Sequence, residues 1–113
     1  MKYVIAIIQP DRLDEVVAAL EEEEIILITV SEVMGRGRQK GVAEVYRSHV
    51  ERNGLLHKIK VEVAVNDSDV WKAVDAIASG ARTGHVGDGK IFVLDLEECI
   101  RIRTGETSNS AIR

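Results

Sequence analysis

Two periods alternate along the chain and divide it into a repeated unit. Residues 2–9 carry the apolar run Y-V-I-A-I-I and stop at Pro10, the pattern of a central strand covered on both faces. From Asp11 the period changes. Leu13, Val16, Val17 and Leu20 recur at i, i+3, i+4 and i+7, which predicts a helix with one buried face. Asp11 is its expected cap, Asp14 and Glu15 sit near its positive end, and the acidic run 21–24 closes it as a solvated face. A second strand is predicted over 25–34, stopping at Gly35. Residues 58–66, K-I-K-V-E-V-A-V-N, alternate charged and apolar positions as a half-exposed strand does. Asp67 or Ser68 then caps a second helix that turns Val70, Val74, Ile77 and Ala81 inward and ends at Gly80 and Gly84. Trp71, beside that stripe, reads as packing. Residues 90–95 form the fourth strand.

The order strand, helix, strand, long connection, strand, helix, strand repeats one unit twice. Such halves combine as an α+β, ferredoxin-like βαββαβ domain: one four-stranded antiparallel sheet with both helices on one face, spanning 1–113 as a single domain. The other face then needs cover. Ile59, Val61, Val63 and Val65 read as its outward side, too apolar to stay wet, which predicts self-association. The connection through His57 has no convincing period and is longer than a compact domain ordinarily holds without a functional reason.

Six of the nine glycines fall in two clusters, Gly35/Gly37/Gly41 and Gly84/Gly87/Gly89, each at a strand end among basic residues. The second lies in R-T-G-H-V-G-D-G-K-I-F, residues 82–92. Its glycines can take positive φ and bring backbone N–H groups close to an anion, with Arg82 and Lys90 adding charge. The spacing G-x-x-x-x-G-K approaches a P-loop. Ile91 replaces the magnesium-binding hydroxyl, and a strand rather than a helix follows, which disfavours that reading. Arg36, Arg38, Lys40, Lys58, Arg82, Lys90, Arg101 and Arg103 could converge on a polyphosphate; as surface residues they could instead pair with Glu32, Glu44, Glu62 and Glu98. Asp88, between two glycines, reads as a turn-former whose carboxylate caps local amides.

The net charge of −4 argues against a broad nucleic-acid footprint, so any basic site must be local. Cys99 is the lone cysteine, excluding an internal disulfide, and His49, His57 and His85 are too scattered for a metal cluster. Neither a leader nor a membrane span is legible, and the cytoplasm is the expected compartment. No catalytic constellation emerges.

Three stretches in order, G-R-G-R-Q-K-G at 35–41, T-G-H-V-G-D-G-K-I-F-V at 83–93 and I-R-I-R-T-G-E at 100–106, resemble the PII nitrogen-regulatory signal-transduction proteins. The likeness is gapless over nearly the whole chain. It implies a cytoplasmic homotrimer that senses ATP or ADP and 2-oxoglutarate and regulates nitrogen metabolism without being an enzyme. By position it places Gly35, Gly37, Arg38, Gln39, Gly87, Asp88, Gly89 and Lys90 around the nucleotide, with Arg101 and Arg103 reaching in from the adjacent subunit. The adenine side would involve Ile7, Thr29, Glu62 and Ala64. Gln39, Lys58 and Gly87 would hold 2-oxoglutarate, with Gln39 on the magnesium that accompanies ATP. The implied mobile loop covers about 37–57, the nucleotide loop 82–90 and a C-terminal loop 101–113. The mobile loop would dock on a target such as a membrane ammonium transporter or an enzyme of nitrogen metabolism.

The departures cluster in that loop. Glu51 replaces a tyrosine that many relatives uridylylate, which rules out that modification; His49 replaces a serine phosphorylated in some, while Ser48 and Tyr46 keep hydroxyls nearby. Arg36 stands where an aromatic residue is frequent, and Gln9 where a basic one is. Two further readings stay open beside the sensor: a nucleotide-using enzyme, from the near-P-loop, and a nucleic-acid-binding ferredoxin-like module, from the fold. The latter lacks sheet aromatics in the needed pattern.

Overall fold

In a computed structural model, described over residues 1–37 and 52–113, the chain adopts the expected split topology. The expectations for Arg38, Gln39, Lys40, Gly41, Tyr46, Ser48, His49 and Glu51 fall outside the described residues. The elements are β1 (Lys2–Ile8), α1 (Leu13–Glu22), β2 (Thr29–Gly35), β3 (Leu56–Val65), α2 (Val70–Ala81), β4 (Lys90–Asp95) and a short α3 (Ser108–Ile112). The strands pair antiparallel in the order β2-β3-β1-β4, which is the ferredoxin-like arrangement.

Register decides which residues meet. Val4 lies opposite Val63 and Val93, and Ala6 opposite Val61 and Ile91. Val4, Ala6, Val61 and Val63 share a core with Val16 and Leu20 of α1 and with Ala73, Ile77 and Ala81 of α2, and Ile91 packs against it, while Val93 is exposed. Ile59, Val61, Val63 and Val65 belong to this core and are buried, so their expected outward placement is wrong. The buried faces of the two helices are apolar, and the apolar stripe of β3 goes beneath them. The opposite face carries Tyr3, Ile5 and Ile7 beside Phe92 and Leu94, the last two each 48% exposed. An apolar face without cover therefore exists, made of other residues.

Other boundaries also shift. β2 begins at Thr29, not Ile25: residues 25–28 connect, with Ile25 and Ile28 packed on the core while Ile26 and Leu27 are exposed. Neither helix has a side-chain cap. Each is entered through a 3₁₀ turn, Pro10–Arg12 and Asp67–Asp69, and Asp67 pairs instead with the Met1 ammonium at 2.9 Å. Gly80 does not stop α2. It lies buried within it, where a Cβ would come 2.7 Å from Val16 Cα, so its missing side chain lets the two helices touch. Trp71 is 67% exposed and not a packing residue. The chain before β3 turns through Arg52–Gly54, so that strand begins two residues earlier than expected. Among the described residues no helix is long and apolar enough to cross a membrane.

Candidate functional site

The loop between α2 and β4 is built by its own side chains. The Asp88 carboxylate accepts from the backbone amides of Thr83 at 2.8 Å and Gly84 at 2.9 Å, and from Thr83 Oγ1 at 2.5 Å. This is the local capping expected of an Asp among glycines. Gly84, Gly87 and Gly89 take φ of 88°, 99° and 105°, values that a side chain resists. At Gly89 the reason is also steric, because a Cβ there would lie 1.7 Å from the Ile7 carbonyl oxygen. The loop thus lies directly on β1.

Two donors from the sheet hold it there. Gln9 Nε2 donates to the Gly87 carbonyl at 2.7 Å, and Lys58 Nζ donates to the same oxygen at 3.4 Å. Gln9 and Lys58 are both buried. The part played by Gln9 was not anticipated; its one signal is a polar residue closing an apolar strand just before Pro10. Buried polar groups persist where hydrogen bonds satisfy them, so both residues are structural anchors of the loop.

Above these anchors opens a cleft of about 710 Å³, within the size range of ligand sites. Ile7, Gly35, Gly37, Lys58, Gly87, Gly89 and Lys90 line it, so the two glycine clusters do meet. Arg36 lines it too, while donating to the Asn53 carbonyl at 3.1 Å across the base of the 37–57 segment. Among the described residues Lys90 and Arg82 form no ion pair, unlike Lys2 with Asp95, Lys72 with Asp69 at 3.8 Å or Arg101 with Glu106 at 3.3 Å. Lys90 therefore offers its charge to the cleft. Arg82 lines a smaller pocket on the helix side of the loop.

The remaining site residues lie elsewhere. From Lys58 to Ala64 along β3 is six steps, roughly 20 Å at ~3.3 Å per residue. Ala64 and Arg101 line a second cleft of about 510 Å³, with Ile26, Leu27, Ile112 and Arg113. Thr29 and Glu62 face each other across β2 and β3 between the two. Glu62 accepts from the Tyr3 hydroxyl at 2.6 Å and lies 4.0 Å from Lys60. That hydrogen bond, then burial, then the carboxylate charge hold the Tyr3 pKa above its ordinary value. Arg103 is exposed. The predicted set therefore divides into two halves at opposite ends of one sheet.

A ferredoxin-like domain with a cationic, glycine-lined cleft is the frame of a small ligand-binding module. Comparisons with known proteins sharpen this. The family model described as nitrogen regulatory protein P-II matches residues 1–106. The chain is 53% identical over 114 residues to nitrogen regulatory protein GlnK1 of Methanosarcina mazei, covering 99% of this chain and 97% of the relative. It is 49% identical over 112 residues to nitrogen regulatory protein P-II 2 of Methanothermobacter thermautotrophicus, with coverage of 99% and 97%. The solved structure of Arabidopsis thaliana PII bound to citrate superposes with a TM-score of 0.81 at 36% identity, covering 99% of this chain and 89% of that one. The chain belongs to the nitrogen regulatory protein P-II family, signal-transduction proteins of nitrogen regulation that act as trimeric regulators and not as enzymes.

Proposed function

We propose that this chain assembles as a homotrimer that binds ATP or ADP between neighbouring copies, and an acidic effector of the 2-oxoglutarate class beside it, to control target proteins. The observation that carries this reading is the division of the site. One chain holds Gly87, Gly89, Lys90 and Lys58 at one end of its sheet and Ala64 and Arg101 at the other. A nucleotide spans the two sets only if a second copy supplies one of them. The partly apolar face of Tyr3, Ile5, Phe92 and Leu94 lies between the halves and suits such a neighbour.

The nucleotide phosphates would lie on the amides of 87–89 with Lys90, joined by Arg101 and Arg103 of the neighbouring copy, and the adenine near Ile7, Thr29, Glu62 and Ala64. Asp88 acts indirectly, by closing the loop. Lys58, a buried ammonium at the cleft wall, suits a ligand carboxylate. A PII protein solved with citrate is a relative that holds a polycarboxylate. The magnesium expected at Gln39 rests on the family likeness alone; Gln39 would help hold it, and when bound it would offset the negative charge of the ligands. Docking through 37–57 on a transporter or an enzyme rests on the same likeness, as does a cytoplasmic location. Titration calorimetry tests the core of the reading: ATP should bind saturably and Lys90→Ala should abolish the binding. Retention of a pull-down partner with ATP plus 2-oxoglutarate but not with ADP would establish the sensor role, and failure of ATP to bind would overturn it.

A further inference from the structure

We propose that the C-terminal segment of each chain gates its neighbour's nucleotide site, by holding Arg101 in competition with phosphate. The inference rests on the nucleotide reading above and adds a regulation to it. Arg101 Nη2 donates to the carbonyls of Ser110 and Ala111, each at 3.4 Å, and contacts the Arg113 carbonyl. Its Nε, buried, faces Glu106 Oε1 at 3.3 Å. A guanidinium offers two forks for bidentate contact, Nε with Nη2 and Nη1 with Nη2. Nη2 belongs to both. While α3 holds it, Arg101 cannot fork a phosphate.

The holding segment is itself anchored. Glu98 Oε1 accepts from the Ser108 amide at 2.8 Å and hydroxyl at 2.9 Å, and Ser108 N also donates to the Cys99 carbonyl at 2.9 Å. Thr104 Oγ1 donates to Glu106 at 2.8 Å. Ile112 and Arg113 line the same cleft as Ala64 and Arg101, so α3 stands against the surface a nucleotide base would approach. Ser108 adopts φ 55°, a strained conformation for a serine, kept by its bonds to Glu98. The segment therefore pivots at Ser108 once those contacts loosen. A polyphosphate carries more negative charge than the neutral carbonyls and the single Glu106 carboxylate that hold Arg101, so nucleotide wins the exchange at reduced apparent affinity. By linkage, bound nucleotide must also loosen α3.

Calorimetry of ATP against the intact assembly and variants of it tests this. A chain ending at Thr107 should bind ATP about fivefold more tightly than the intact chain, since one to two ordinary hydrogen bonds no longer compete. Glu106→Gln keeps the segment whole and should tighten binding about twofold, which decides the matter if the shortened chain assembles poorly. In an Arg101→Ala background the shortening should change nothing. Unchanged or weaker binding in both the shortened chain and Glu106→Gln, with Lys90→Ala still abolishing it, overturns the gate alone. Absence of ATP binding in every form overturns the nucleotide reading and the gate together.

Discussion

Gly89→Ala tests whether the glycine loop is held against β1 as the fold requires. The new Cβ would lie 1.7 Å from Ile7 O, 2.9 Å from Ile7 C and 3.4 Å from Ile8 Cα, all atoms of a central strand that cannot rotate away. A carbon and a carbonyl oxygen approach to about 3.3 Å, so the loop must retreat by roughly 1.6 Å. At φ 105° the substitution also carries backbone strain of about 1–3 kcal/mol, to which overpacking adds about 1–3 kcal/mol. Gly84→Ala separates the two effects, because Gly84 has φ 88° with nothing within 4 Å of its built Cβ. It should cost only the strain, about 1–2 kcal/mol. Urea unfolding should therefore show a distinctly larger loss for Gly89→Ala, about 2–6 kcal/mol. Retreat of the loop also moves Gly87 and Lys90, so ATP affinity should fall at least about tenfold, which is ~1.4 kcal/mol. Equal losses from the two substitutions, or an unaffected Gly89→Ala, would refute the reasoning.

Three further outcomes follow from the geometry. Gly80→Ala gains about 1 kcal/mol of helix propensity but drives a Cβ to 2.7 Å from Val16 Cα and 2.9 Å from Glu15 O, so a net loss is expected in urea melts; a gain would show that the helices do not touch there. Glu98 is held below its ordinary 4.5 by the Cys99 amide and then by Ser108, and Asp95 below 3.8 by Lys2. Both folded values are depressed, so their small contribution is present above those pH values and lost as pH falls through the folded ones; protection of the α3 amides relative to their intrinsic exchange rate should fall there, and Glu98→Gln should remove the response. Trp71→Ser should shift stability by no more than about 0.5 kcal/mol, and native Trp71 fluorescence should be open to acrylamide; strong protection would contradict its exposure.

What was legible in the sequence was what repeats. Period 3.6 located the two helices and alternation the third strand, because each buries one face against the other layer; β1 and β4 were read from short apolar runs, and β1, expected to be covered on both faces, buries only one fully. Period alone does not say which face of a strand the helices cover, and Ile59, Val61, Val63 and Val65 went to the wrong side for that reason. Residues 25–28 are apolar without alternating, so a connection with two anchored isoleucines looked like more strand. Gly80 and α3 fail differently. A glycine near a helix end carries the same letter whether it stops the helix or admits a neighbour, and five residues are too few to show a period. In the site, the positive φ at Gly84, Gly87 and Gly89 was readable from the letters, as was the local role of Asp88. Gln9 was not, because its bond to Gly87 joins residues 78 positions apart.

The division of the site has a consequence for how the proposed sensor behaves. Lys90 and Arg101 lie at opposite ends of one sheet, so neither half alone offers a nucleotide more than a partial set of contacts. Affinity and assembly are then one equilibrium: ligand stabilises the associated form by RT ln(1 + [L]/Kd), about 2.7 kcal/mol at a hundredfold excess over Kd. ATP should accordingly raise the melting temperature less at protein concentrations low enough for the unliganded assembly to dissociate, where part of its binding free energy goes into association, than at high. A shift that is identical at every protein concentration would mean that one chain holds the whole nucleotide, and the two clefts would then have to be read as unrelated.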